Sequence, residues 1–198
     1  MIISSGKTIY LSRHGQSQYN ITKQLGGDSG LSNKGIEYSL KLHEYFQSIK
    51  KENIPVCTST LKRTLQTGKH FINKTSNSNF NEINAGIFEH YTYDRIKDEN
   101  IDEFNKRSVD KYEYRYPNGE SYKDLEERVT SEFKKLLELN DEFLLIAHNA
   151  VIRVILGYIH NIEKDKIPHL DVPLHNLIKI VSTSNNLDNS SMSLLSNV

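Results

Sequence analysis

The sequence predicts an α/β fold in which helices cover both faces of a doubly wound, mostly parallel sheet. Short apolar runs alternate along the chain with longer segments whose apolar residues recur at helical spacing. The runs at 8–12 and 143–147 are rich in aromatic, β-branched and aliphatic residues, as buried strands are. Strands that alternate with helices need crossover connections, which favour parallel pairing.

The strands are predicted, in chain order, over 8–12, 54–59, 143–147 and 177–181. Helices are predicted over 33–50, from residue 60 onward, from after Ser121 to about 139, and over 151–160. Ser32 and Ser121 directly precede two of these helices, and serine is a favoured N-cap residue. In the helix after Ser32, the buried stripe is expected to consist of Ile36, Leu40, Phe46 and Ile49.

Three segments lie outside this regular alternation. Residues 73–81 are rich in Asn and Ser, which predicts a loop. Residues 88–117 are polar and aromatic, with helical pieces expected around 92–97 and 101–106, and we predict a small polar helical insertion over the active site. Ser and Asn dominate 182–198, which predicts a flexible tail after a single domain over 1–181.

Composition excludes several classes of protein. The chain has 25 basic and 25 acidic residues, so no net field favours nucleic acid or an anionic membrane. The lone cysteine, Cys57, rules out an internal disulfide framework and lies in an apolar run typical of a core. No apolar run approaches the roughly 20 residues that span a bilayer, and the N-terminus lacks signal-peptide features. We expect a soluble, cytoplasmic protein.

A set of chemically active side chains follows the predicted strands. His14 comes directly after the first strand, with Arg13 beside it, and His148 comes directly after the third strand. The carboxyl ends of parallel strands share one edge of a sheet, so these side chains are expected to converge. Arg63 lies in the first turn of a predicted helix, where a cation opposes the dipole and is better explained by a bound anion. Glu82 can join the group from a neighbouring loop.

Two histidines, two arginines and one carboxylate suit phosphoryl transfer. Imidazole can attack phosphorus, guanidinium groups can hold the equatorial oxygens, and a carboxyl can handle the leaving-group proton. A metal site of His and Glu is the competing interpretation, but neither the ligand spacing nor a carboxylate-rich surround supports it. We therefore expect neither a metal nor another cofactor.

Further polar residues are placed to bind the rest of a substrate. Three glycines within 26–30 form a loop whose backbone N–H groups, Gly27 included, can approach a ligand. Arg107 and Lys111 are four residues apart, which places both on one face if that segment is helical. Together with Arg153, the one strong exception in an apolar helix, they predict a second anion site. Nearby tyrosines fit a sugar-phosphate pocket or a nucleic-acid surface, and the neutral net charge argues against nucleic acid.

The segment Arg13-His14-Gly15, followed by Ser17 and Asn20, resembles the signature of the histidine phosphatase superfamily, which also contains the phosphoglycerate mutases. Further stretches are similar to the fructose-2,6-bisphosphatase domain of 6-phosphofructo-2-kinase/fructose-2,6-bisphosphatase, namely 26–32, 58–59, 62–64, 66–67, 81–83, 110–112, 114–122 and 173–175. The resemblance implies a phosphoglycerate mutase-like fold. It also implies hydrolysis of the 2-phosphate of fructose 2,6-bisphosphate, giving fructose 6-phosphate, through a phosphohistidine.

The resemblance assigns roles to individual residues as well. His14 would be the nucleophile, and Glu82 would protonate the leaving oxygen and then activate water. His148, Arg13 and Arg63 would stabilise the transferring phosphoryl group. The substrate-binding set that we expect, from the resemblance and from the glycine loop, is Asn20, Gly27, Tyr93, Arg107, Lys111, Tyr122, Asn149 and Arg153.

The chain departs from the family pattern at several points. Asn149 stands where the family usually has Gln, which shortens one sugar contact. Residues 21–24 lack the Arg-Gly-Arg pattern usual before the two glycines, and Ala147 replaces a Cys. No P-loop is present, so the chain is expected to be either a separate phosphatase or a part of a bifunctional enzyme with a kinase domain.

Two other functions remain open at this point. One is a broad-specificity phosphatase or a phosphoglycerate mutase-like enzyme, although the chain has no Trp for the Gly-Trp element usual in mutases. The other is a catalytically silent module that binds sugar phosphates or a partner protein, against which the intact His14, Glu82 and His148 argue. The expected partner is a small sugar phosphate, and the sequence leaves self-association and a kinase partner undecided.

Overall fold

The computed structural model describes residues 4–183 and 187–194. Its strands are β1 (Thr8–Arg13), β2 (Val56–Thr58), β3 (Lys74–Ser76), β4 (Glu142–Ala147), β5 (Asn176–Ser182) and β6 (Leu187–Ser193). They form one six-stranded sheet in the order β3-β2-β4-β1-β5-β6. The first four strands in that order pair in parallel, whereas β5 and β6 are antiparallel. The predicted mostly parallel α/β sheet is confirmed.

The described helices are α1 (Gln18–Thr22), α2 (Asn33–Ser48), α3 (Lys62–Thr67), α4 (Tyr93–Glu99), α5 (Ile101–Val109), α6 (Tyr122–Leu139) and α7 (Asn149–His160). Ser32 and Ser121 cap α2 and α6 as predicted, because each hydroxyl accepts a backbone N–H from the first turn. Among the described residues, no helix has both the length and the apolar composition needed to cross a membrane.

The core has two layers, one on each face of the sheet. Successive residues of a strand point to opposite faces, so Ile9 and Leu11 pack with α6 and α7, while Tyr10 packs with α2. Helices on both faces bury the central parallel strand β4 almost completely, as its continuous apolar run predicted. Cys57 is buried in the same core.

The buried face of α2 differs from the predicted stripe. Ile36 and Leu40 are 47% and 44% exposed, and the helix instead buries Tyr38 and Leu42 together with Phe46. Tyr38 is tolerated in the core because its hydroxyl hydrogen-bonds to the hydroxyl of Ser12, 2.7 Å away. The buried residues Tyr38, Leu42 and Phe46 recur every four residues, and this stripe lies part of a turn away from Ile36 and Leu40.

Two predicted irregular segments contain strands. Residues 73–81 include β3, a short exposed edge strand that pairs with β2. The predicted tail contains Leu187–Ser193, which pairs antiparallel with β5, while residues 184–186 and 195–198 lie outside the described part of the chain. Edge strands gain stability from backbone hydrogen bonds and need few apolar side chains, so composition alone did not reveal them.

Candidate active site

Two adjacent parallel strands place the predicted histidines side by side. β1 and β4 pair in a register that sets Arg13 opposite Ala147, so His14 and His148 both leave the same edge of the sheet. Their ring centroids are 5.2 Å apart. The backbone N–H of His14 donates to the carbonyl of Ala147 at 2.9 Å, which continues the strand pairing to the site itself.

Arg63 lies between the two imidazole rings. Its Nε–H points at both histidines, 3.1 Å from Nε2 of His14 and 3.2 Å from Nδ1 of His148. Its Nη1 donates to the carbonyl of Gly27 at 2.7 Å. Arg63 is in the first turn of α3, as predicted, and only 4% of it is exposed.

The imidazole of His14 is held with one nitrogen available for chemistry. Nδ1 lies 2.8 Å from the carbonyl of Gly15, which can only accept, so Nδ1 carries the hydrogen and Nε2 keeps its lone pair. A Cβ on Gly15 would lie 2.5 Å from the carbonyl oxygen of Gly35, so this close turn requires glycine. Burial, reinforced by the charges of Arg63 and Arg13, holds the pKa of His14 well below its usual value. The ring is therefore neutral at pH 7.

Arg13 brings a second buried guanidinium to the same edge. Its Nη1 donates to the carbonyl of Val172 at 2.8 Å. Its Nε is buried and has no hydrogen-bond partner among the described residues. Burial lowers the pKa of Arg13 to about 10, so the group remains charged at neutral pH. A buried cation with a spare donor suits an anionic ligand.

Glu82 is tied to the helix that follows His148. Its Oε1 accepts the backbone N–H of Ile83 at 3.1 Å and that of Ala150, in the first turn of α7, at 3.2 Å. The carboxyl thus lies at the same cleft as His14 and Arg63. Glu82 lies in a loop between a polar segment and a short apolar one, and this loop places the carboxyl in the cleft, as the sequence predicted.

The glycine loop is held in place by Glu89. Gly26 and Gly27 both have φ of +59°, which disfavours any other residue. The Glu89 carboxylate accepts hydrogen bonds from the backbone N–H groups of Gly27 and Ala85. Gly27 lines the neighbouring cavity rather than the cleft that contains His14, and its carbonyl reaches the site through Arg63.

One cleft of about 400 Å³ joins most of the predicted site residues. It is lined by Arg13, His14, Asn20, Arg63, Glu82, Tyr93, Arg107, Lys111, Tyr122, Asn149 and Arg153. His148 is fully buried behind His14 and contacts the cleft through its neighbours. Tyr19 and Gln24 also line it, although neither was a predicted site residue; the only signal in the sequence was that Tyr19 is next to Asn20.

A second group of cations, Arg107, Lys111 and Arg153, lines the same cleft. Arg107 donates to the hydroxyls of Tyr116 and Tyr93 at 2.9 and 2.7 Å. Lys111 donates to the carbonyl of Pro168 at 2.7 Å. α5 ends at Val109, so the condition for a shared helical face of Arg107 and Lys111 is not met, yet both side chains line the cleft.

Arg153 completes this second group from the second turn of α7. Its Nε donates to the carbonyl of Leu170 at 2.6 Å, and its Nη1 donates to the Tyr122 hydroxyl at 3.3 Å. Burial, with repulsion from Arg107 and Arg153, lowers the pKa of Lys111 to about 8. Neutral acceptors hold these cations in place, so their charge remains available to an anion.

The two predicted asparagines, Asn20 and Asn149, differ in their hydrogen bonding. Asn20 accepts from the backbone N–H and hydroxyl of Ser17, which makes the capping box of α1. The Oδ1 of Asn149 is buried and has no hydrogen-bond partner within the described chain.

Across residues 4–183 and 187–194, no group of three His, Cys, Asp or Glu side chains is arranged to hold a metal ion.

Comparison with known proteins places this geometry in a family. Curated relatives include the fructose-2,6-bisphosphatase of Saccharomyces cerevisiae, 42% identical over 88% of this chain and 39% of that protein. The human 6-phosphofructo-2-kinase/fructose-2,6-bisphosphatase 1 is 41% identical over 88% of this chain and 37% of its own length. The chain thus spans about two fifths of the length of these relatives.

Solved structures share the fold at low sequence identity. The α-ribazole phosphatase of Shigella flexneri gives a TM-score of 0.84 at 19% identity, covering 96% of this chain and 98% of that one. Bacillus stearothermophilus YhfR gives 0.82 at 21% identity, with coverage of 96% and 98%. The family described as the histidine phosphatase superfamily (branch 1) matches residues 9–193. As the motif around His14 predicted, the chain belongs to the histidine phosphatase superfamily.

Proposed function

We propose that this chain is a phosphatase that removes the 2-phosphate of fructose 2,6-bisphosphate through a phosphohistidine on His14. The observation that carries the proposal is the cleft itself, in which Arg13 and Arg63 lie with Nε2 of His14, and Arg107, Lys111 and Arg153 line the same space. Two cationic ends suit a small substrate with two phosphates. Curated relatives that carry the name fructose-2,6-bisphosphatase support this choice of substrate.

In the first step the lone pair on Nε2 of His14 attacks the 2-phosphoryl group, and an N–P bond forms as the P–O bond to C2 breaks. Arg13, Arg63 and His148 hold the phosphoryl oxygens and spread their charge. Glu82 gives a proton to the leaving sugar oxygen. Since Oε1 is engaged by two backbone amides, we assign this exchange to Oε2.

In the second step water attacks the phosphohistidine. Glu82, now ionised, takes a proton from this water as the new O–P bond forms and the N–P bond breaks. Inorganic phosphate leaves, and His14 returns to its neutral form with the lone pair on Nε2. The carboxyl ends the cycle protonated, so protons balance over the two steps.

The second group of cations would bind the part of the substrate that does not react. Arg107, Lys111 and Arg153 suit the 6-phosphate, and Tyr93 and Tyr122 bring hydroxyls to the same part of the cleft. Asn20 and Asn149 complete the proposed substrate contacts, whereas Gly27 acts through its hydrogen bond to Arg63 and not on the substrate directly. Binding the remote phosphate positions the reacting one.

The proposal extends to location and partners. A cytoplasmic location fits the reduced, buried Cys57 and a sugar phosphate as substrate. Some relatives carry the name of a kinase together with that of the phosphatase, so an associated kinase activity is one candidate partner and a second copy of the chain is another.

One assay tests the proposal against its alternatives. Phosphate release is measured on fructose 2,6-bisphosphate, fructose 1,6-bisphosphate, the phosphoglycerates and an aryl phosphate, and we expect kcat/KM to be highest for the first. Equal activity on all substrates would indicate a broad phosphatase, and none would indicate a silent binding module. Substrate labelled in the 2-phosphate should leave acid-labile, base-stable label on the wild type and none on His14→Ala.

A further inference from the structure

A chain of buried hydroxyls lies behind His148, on the side away from His14. The Oγ of Ser59 is 2.7 Å from Nε2 of His148 and 2.7 Å from Oγ1 of Thr64. The backbone N–H of Leu61 donates to the same Oγ at 3.1 Å. Ser59, Thr64 and His148 have no exposed surface. The steps proposed above use none of these hydroxyls.

The directions of these hydrogen bonds follow from counting donors. The Nε–H of Arg63 can only donate, so Nδ1 of His148, 3.2 Å away, accepts. A neutral imidazole whose Nδ1 accepts carries its hydrogen on Nε2, and that hydrogen must go to Ser59. Ser59 then has one hydrogen left, which goes to Oγ1 of Thr64. Thr64 donates in turn to the carbonyl of Leu61 at 2.8 Å, so every donor has an acceptor.

We propose that Ser59 is a positioning residue that fixes His148 in the tautomer with hydrogen on Nε2, leaving Nδ1 as the nitrogen on the side of Arg63, where the phosphoryl group is proposed to bind. The hydroxyl acts only through the histidine and touches no substrate atom. Because Nε2 already carries a hydrogen, Nδ1 is the nitrogen of His148 that can take the proton of a bound phosphate monoanion, and that proton returns to the phosphate when it leaves. While that proton is on Nδ1, the N–H can donate to a phosphoryl oxygen. This last step rests on the proposed phosphatase activity, whereas the tautomer does not.

The groups around His148 keep its ring neutral, so the position of its single ring hydrogen determines which nitrogen can donate. Burial holds the pKa of His148 well below its usual value, and the charges of Arg63, Arg13 and Arg128 and the neighbouring His14 act in the same direction. The ring is therefore neutral at pH 7, and a neutral ring has two alternative tautomers. With hydrogen on Nδ1 instead, the ring would point a donor at the Nε–H of Arg63 and leave Ser59 without its donor.

Nitrogen NMR on the full chain tests the tautomer directly. With ¹⁵N-labelled histidine, the His148 signals are assigned by their loss in His148→Gln, and we expect Nε2 to be the protonated nitrogen at pH 7. A wild-type spectrum with hydrogen on Nδ1 overturns the proposal. This measurement needs no enzymatic activity, so it stands even if the proposed substrate is wrong. Because it uses the wild-type chain, it tests the tautomer of His148 even if a Ser59 variant fails to fold.

The positioning role is tested with Ser59→Ala and a matched control. We expect Ser59→Ala to give a mixture of His148 tautomers and to lower kcat about tenfold with little change in KM, as loss of one hydrogen bond would. Ser39→Ala removes another fully buried serine hydroxyl, one that donates to the carbonyl of Gln66, and should change neither measurement. Unchanged tautomer and kcat in a folded Ser59→Ala would overturn the role of Ser59.

Discussion

Arg63 donates its Nε–H to Nε2 of His14 across 3.1 Å. The nitrogen proposed to attack phosphorus is therefore engaged by a guanidinium. A phosphate oxygen is the stronger acceptor for that guanidinium, because the bond then joins opposite charges. When phosphate binds, Arg63 would donate to a phosphate oxygen instead of to His14. The lone pair on Nε2 of His14 would then be free as the phosphoryl group comes within reach.

Replacement of Arg63 should damage the chemical step more than binding. We expect Arg63→Ala to lower kcat by about 10²–10³-fold, the usual effect of losing one preorganised donor to the transition state. Steady-state kinetics on fructose 2,6-bisphosphate measures it. Lys62→Ala, in which the neighbouring exposed cation is removed, is the control and should be near wild type. A change in KM alone would make Arg63 a ground-state binder.

Glu82→Gln should be most harmful when the leaving group is poor. An amide cannot exchange the proton, so we expect turnover of fructose 2,6-bisphosphate to fall by about 10²–10⁴-fold. An aryl phosphate has a leaving group that needs little protonation, and its rate of phosphoenzyme formation should fall much less. The comparison uses single-turnover rates on both substrates. An equal loss on both would point to a structural role for Glu82.

Arg107→Ala should impair only substrates with a second phosphate. We expect kcat/KM for fructose 2,6-bisphosphate to fall by about 1.5–3 kcal/mol, the range for a hydrogen bond to a charged group. Hydrolysis of an aryl phosphate should be nearly unchanged, and fructose 6-phosphate should inhibit the variant less than the wild type. Arg95→Ala, on the exposed face of α4, is the control. The same loss on both substrates would contradict a second anion site.

Lys111 should make substrate affinity depend on pH near 8. Burial lowers its pKa to about 8, so its charge is lost as the pH rises through that value. We expect KM for fructose 2,6-bisphosphate to rise between pH 7 and 9, and Lys111→Met to lack this rise. A pH-independent KM in the wild type would contradict the assignment.

Stability should respond to Lys111 in the opposite sense to affinity. The pKa of Lys111 is near 8 in the folded chain and 10.5 when unperturbed, so between these values the unfolded state binds more protons. Stability from this group therefore rises with pH across that window and is lowest below it, where the buried amine must stay charged. Denaturant titrations of wild type and Lys111→Met at pH 7 and 9.5 measure the difference.

Residues near strand ends were predictable from the sequence, and residues that depend on tertiary partners were not. His14 and His148 follow apolar strands, and the topology of a parallel sheet then places them together. The cation of Arg63 in a first helical turn was also informative. Ser59 lies in a stretch that resembles the family, but the sequence assigned it no role, because a serine after a strand is ordinary until the histidine that it contacts is known.

The errors in the predicted fold have a similar cause. The side chain of Tyr38 is buried because Ser12, 26 residues earlier, supplies a hydrogen bond to its hydroxyl. β6 forms because the open edge of β5 supplies backbone hydrogen-bond partners, and the residues of β6 alone do not predict a strand. In both cases a partner distant in sequence overrides the local pattern.

The two ends of the cleft differ in how firmly the fold holds them. His14 and His148 extend from the paired central strands β1 and β4, which separate only when the core unfolds. Arg107 belongs to α5, a helix without a fully buried residue, packed on α4, in which only Ile96 is buried. On heating, the proposed phosphatase activity should therefore lose its preference for a doubly phosphorylated sugar at a lower temperature than it loses hydrolysis of simple phosphate esters.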